Sequence, residues 1–126
     1  MRNMLEDLIV RHCAPTLTGL KLGSLFLYRE FGLEREIRLW NKNLNKKGIF
    51  VEILREDERG ALIYVYRRKQ LAHLLENQRV NGMLAKYGYS CEEPDEVLRV
   101  LGKRLKKKRG FPHEIGIFLG YPLEDV

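Results

Sequence analysis

The side chains best suited to chemistry in this chain gather at its two ends. His12 and Cys13 stand together in "RHCAPT", and His113 and Glu114 in "FPHEIG". A thiolate beside an imidazole that a carboxylate orients is an activated-nucleophile arrangement. The same sulfur and ring nitrogens could also ligate a soft or borderline metal. His12 is the wrong base for Cys13, because neighbours on one helix diverge by about 100°. A partner for the thiol must come from the other motif, which makes Cys13, His113 and Glu114 the candidate catalytic set. The structural alternative is that His12 finishes an apolar helix stripe and Cys13 is a small buried hydrophobe, the usual state of a free cysteine. No metal site is established by spacing, since neither CxxC nor HxxxH occurs.

Two other segments concentrate polar groups. "TLTGLKLGS" sets Thr16, Thr18, Lys21 and Ser24 around Gly19 and Gly23, a composition that can make an anion-binding turn. The GxxxxGK[ST] order of a P-loop is absent, and a plain connector is the simpler reading. With Tyr121 of the last turn, the expected ligand-binding set is His12, Cys13, Thr16, Lys21, Ser24, His113, Glu114 and Tyr121. "GKRLKKKRG" holds Lys103, Arg104, Lys106, Lys107, Lys108 and Arg109, which could grip a phosphate backbone. Glu92, Glu93, Asp95 and Glu96 lie at the front of the same segment, as a helix dipole favours. No RNP, KH or zinc-finger pattern accompanies the run. A solvated helix end is therefore favoured over a nucleic-acid face.

The elements that must position these residues can be read from periodicity. A helix starts near Asn3, with Glu6 placed as in a capping box, and Leu5, Leu8, Ile9 and His12 on one face. Pro15 is expected to break it. "SLFLYR" (24–29) reads as a strand, and Leu33, Ile37, Trp40 and Leu44 fall at helical spacing up to Gly48. "GIFVEILRE" and "ALIYVYRR", joined by "DERG", predict a β-hairpin. Alternation puts Tyr64 and Tyr66 on one face of it, as sheet packing. The second half reads as helices: Leu71 to Leu75, Val80 to Tyr87 ended by Gly88, and Val97 to Leu105 opened by Pro94 and closed by Gly110. Pro112 and Pro122 begin short turns around Gly120. The fold class is α+β, a small two- or three-stranded sheet with a β-hairpin packed against several helices.

The 126 residues suit a single domain, 1–126. Net charge is +6, from 23 basic and 17 acidic residues. That balance permits phosphate-bearing partners without requiring them. No run of about 18 uncharged apolar residues occurs, so no membrane partner is expected. The N-terminus is interrupted by charge and lacks a secretory h-region, so the expected location is cytoplasmic.

"RHCAPTLTGLKLGSLF" and "FPHEIGIFLGYPLEDV", with "LIYVYRRKQL" and "KYGY" between them, carry a likeness over nearly the whole chain. They resemble the small bacterial proteins grouped as domain of unknown function family 3793. The resemblance implies a compact intracellular protein without an assigned chemistry, and it transfers no catalytic role or cofactor. Members commonly run on past the Glu-Asp-Val position into a segment rich in aromatics and cysteine, so the resemblance also implies a C-terminal extension beyond the 126 residues given, whose absence a natural short form or a shortened sequence would explain equally.

The leading expectation is a binding or regulatory module that holds a small molecule, metal or protein between the N- and C-terminal motifs. A cysteine-nucleophile enzyme and nucleic-acid binding through 103–109 are the alternatives.

Overall fold

The segment Gly60–Arg67 is rich in β-branched and aromatic residues and is buried from Gly60 to Tyr66. In the computed structural model, which describes residues 4–30, 32–90, 93–107 and 110–126, this segment (β3) is the middle strand of three. Gly23–Tyr28 (β1) and Ile49–Asp57 (β2) flank it, both antiparallel. The expected hairpin is β2–β3, turning at Glu58 and Arg59.

Alternation along β3 divides the fold into layers. Ala61, Ile63 and Val65 face two helices, α1 (Met4–Leu17) and α2 (Glu34–Leu44), through Leu5, Ile9, Cys13 and Ile37, with Leu33 just ahead of α2. Leu62, Tyr64 and Tyr66 face the opposite way. There they meet α3 (Arg68–Leu75), α4 (Gln78–Ala85), α5 (Pro94–Lys107) and the short α6 (Ile115–Phe118). The α+β class holds, with the sheet between two helical layers. Tyr64 and Tyr66 stack with centroids 4.7 Å apart, so their shared face is indeed packing.

Two local expectations need correction. Pro15 does not break the first helix, which runs on to Leu17. Proline in a helix removes one hydrogen bond at a cost of about 3 kcal/mol, but Ile9, Cys13 and Thr16 are all buried around it, and that packing offsets the loss. The chain turns away after Leu17 at Gly19, whose φ of +86° lets Leu20 N–H return to the Pro15 carbonyl at 2.8 Å. The buried stripe also runs Leu5, Ile9, Cys13, Thr16 rather than through His12. His12 lies on the exposed flank, stacked 5.7 Å from the Phe26 ring. The cap expected of Asn3 lies outside the described residues, as do Cys91, Glu92, Lys108 and Arg109.

Beyond Ile53 the pairing of β2 slips by one residue, so that Arg55 rather than Leu54 opposes Leu62. Leu54 follows Phe50 and Glu52 onto the α5 face by alternation, and the bulge brings Arg55 to that face as well, where it donates to the Leu105 carbonyl at 3.4 Å.

Candidate functional site

The N- and C-terminal motifs do not bring the thiol and the imidazole together. Cys13 is fully buried between α1 and the sheet, in the first core layer. His113 is exposed, 6.5 Å from the ring of Tyr87, which packs on the second layer. The sheet stands between them. Burial pushes the Cys13 thiol up to about 12, against smaller opposing effects of the Ser24 hydroxyl and Lys21. A thiol so protonated is a poor nucleophile near neutrality. Among the described residues no group of three or more His, Cys, Asp or Glu side chains could hold a metal.

Glu114 has a different role from its neighbour. Its carboxylate has no exposed surface and is held by three donors. Arg104 gives Nε to Oε2 and Nη2 to Oε1, the latter at 3.1 Å, and Tyr89 Oη donates to Oε2 at 2.9 Å. The Arg104 guanidinium lies 4.9 Å over the Tyr87 ring. Its pairing with Glu114 holds Arg104 above the ordinary arginine value. Burial, reinforced by the Glu114 charge, pushes the Tyr89 phenol up. The cluster ties the C-terminal segment to α5, a role the sequence motif did not reveal because Arg104 lies ten residues upstream in a basic run.

The remaining residues of the expected site serve mainly as contacts between segments. Thr16 and Ser24 hydroxyls bond to each other at 2.7 Å, buried beside Cys13. Lys21 lies 5.5 Å over the Tyr121 ring. A Cβ on Gly23 would come within 2.6 Å of the Phe118 carbonyl, to which Tyr64 Oη donates at 2.5 Å. The Leu20–Ser24 stretch therefore does meet the C-terminal motif, but as close packing with no room between.

Open space lies elsewhere, along the outer edge of β2. A groove of about 460 Å³ is lined by Glu52, Ile53 and Leu54 of β2 and by Asp95, Leu98, Arg99, Gly102, Lys103 and Lys106 of α5. Gly102 sets its floor: a Cβ there would stand 2.5 Å from the Leu54 carbonyl, so only glycine lets α5 come this close. At one end, Glu52 accepts from Tyr66 Oη at 2.7 Å, and Arg68 donates to Tyr66 Oη at 3.1 Å and to Asp95 at 2.7 Å. Burial raises the Glu52 carboxyl above its ordinary value, and the Tyr66 hydrogen bond opposes that shift. At the other end Lys103 and Lys106 form no ion pair among the described residues, although Lys103 is near enough to affect Glu96. Arg99 is paired with Glu96.

Of the predicted basic run, then, Arg104 turns inward to Glu114 while Lys103 and Lys106 line the groove. Lys107 is exposed. Arg99, Glu52 and Ile53 were not anticipated. A signal for Arg99 existed: residues 99, 103 and 106 share one helix face beside a mid-helix glycine.

An α+β sandwich with a charged edge groove defines a class of architecture rather than an activity. The family comparison is specific: the model described as "Protein of unknown function (DUF3793)" matches residues 9–126, and the chain belongs to that family. No curated protein and no solved structure matches it. Among the described residues no helix is long and apolar enough to cross a membrane.

Proposed function

We propose that this chain is a cytoplasmic binding module that holds an anionic partner in the groove between β2 and α5. The observation that carries this reading is the pairing of an open groove with two lysines, Lys103 and Lys106, that have no carboxylate partner among the described residues. Groove volumes of about 300 Å³ and above are the usual scale of ligand sites. The site first expected, between the terminal motifs, gives way to this one because Cys13, Thr16, Ser24 and Glu114 are consumed in packing and the exposed His113 stands apart from the thiol. Against an enzyme using Cys13 stands the buried, protonated thiol.

Titration of the protein with short polyglutamate, followed by anisotropy, tests the reading. Binding should weaken at least tenfold in K103E/K106E and fall with added salt. Polyglutamate binding that ignores this double reversal would reject the groove. Tighter binding of a single-stranded oligonucleotide of equal charge would favour the nucleic-acid alternative instead.

A further inference from the structure

The groove is bordered by a strand edge as well as by cations. The Asn41 side chain of α2 covers the outward backbone of Val51, donating to its carbonyl and accepting from its N–H, each at 2.8 Å. Outward-facing backbone pairs recur every second residue in an antiparallel strand. The next one therefore belongs to Ile53, which lines the groove. Among the described residues no side chain or neighbouring backbone outside the sheet bonds to it.

We propose that the groove takes an extended acidic peptide, which adds as a fourth strand against β2 at Ile53; this rests on the binding reading above. Three features support it. First, α5 runs alongside β2 in the same direction. Asp95 acts on Glu52, Gly102 abuts Leu54, and Arg55 donates to the Leu105 carbonyl at 3.4 Å. An added strand would thus lie along the helix, the geometry of strand-addition grooves. Second, the cation spacing fits. Arg99 gives Nε and Nη2 to Glu96, which leaves its Nη1 hydrogens for a second acceptor; it and Lys103 are separated by about 6 Å of helix rise, and alternate residues of a strand by about 6.7 Å. A peptide with acids at every second position can present one to each, turning the residues between outward. Third, the charge is graded. Glu52 and Asp95 repel acids at one end, so the acidic residues belong at the Lys103–Lys106 end.

The experiment compares a capped peptide of alternating glutamate and valine with the same peptide N-methylated on alternate backbone amides. Affinities are measured by anisotropy on the wild-type chain and on K103E/K106E, and exchange of the Ile53 amide is followed by NMR. The expected result is at least tenfold weaker binding after N-methylation in one of the two possible registers, a similar loss in K103E/K106E, and slowed exchange at Ile53. Equal binding of the N-methylated peptides, with the loss in K103E/K106E retained, would overturn strand addition and leave the anion groove standing. Absence of binding by every peptide, and by polyglutamate, would overturn both.

Discussion

A carboxylate without exposed surface must be matched by donors that replace the water it has lost. Glu114 meets that condition through Arg104 and Tyr89, so its removal should strand a largely buried guanidinium. Glu114→Ala is expected to cost about 3 kcal/mol in chemical denaturation. The double variant with Arg104→Ala should cost clearly less than the sum of the two single losses. Additive losses would mean the pair is not coupled. Cys13 yields a second prediction at this scale. Being buried and held protonated to about 12, it should alkylate at pH 7 far more slowly than an unfolded-chain thiol, and denaturant should abolish the protection. In sequence His113 and Glu114 look like one functional pair. They separate in the fold because consecutive residues entering a tight turn point different ways, and only one of them meets Arg104.

The helices and strands were largely legible because their cues are local. Isoleucines, valines and tyrosines in 49–66 announce the hairpin, and Val97, Leu98, Leu101 and Leu105 mark the buried face of α5. What escaped depended on other elements. Pro15 reads as a breaker until the packing of Cys13 and Thr16 on the sheet is known, and the bulge at Leu54 leaves no local sequence mark. Gly102 was in view, yet its purpose appears only against β2. Alanine normally stabilises a helix interior relative to glycine by about 1 kcal/mol. Here the sign should reverse, because the new Cβ would meet the Leu54 backbone at 2.5 Å. Gly102→Ala should lower stability by about 1–3 kcal/mol, read from a urea transition. A stabilised variant would mean that α5 can stand off the strand without loss.

At the scale of the molecule, the sheet decides which distant residues can meet. It places Cys13 and His113 on opposite sides, a relation no single segment encodes, since either face of β3 is apolar enough to receive α1. Burial on both sides also gives the molecule an alkaline limit. Tyr64, Tyr66 and Tyr89 are all buried, with phenols pushed above the ordinary value chiefly by burial, and the Cys13 thiol is raised too. The unfolded chain loses these protons from about pH 9–10 while the folded chain keeps them. Their contribution is therefore intact below that range and is lost progressively as pH rises above it towards the higher values of the folded state. Tyrosinate absorbance of these residues should appear together with loss of helical dichroism, and their ionisation in a chain still folded would contradict it. The groove is the other consequence of this layout, formed where the edge of the sheet meets α5. Amide chemical-shift mapping during titration with the alternating acidic peptide tests it most directly. The shifts should cluster from Glu52 to Arg55 and from Leu98 to Lys106. Shifts centred on Cys13, Lys21 and Tyr121, or none at saturating peptide, would contradict it.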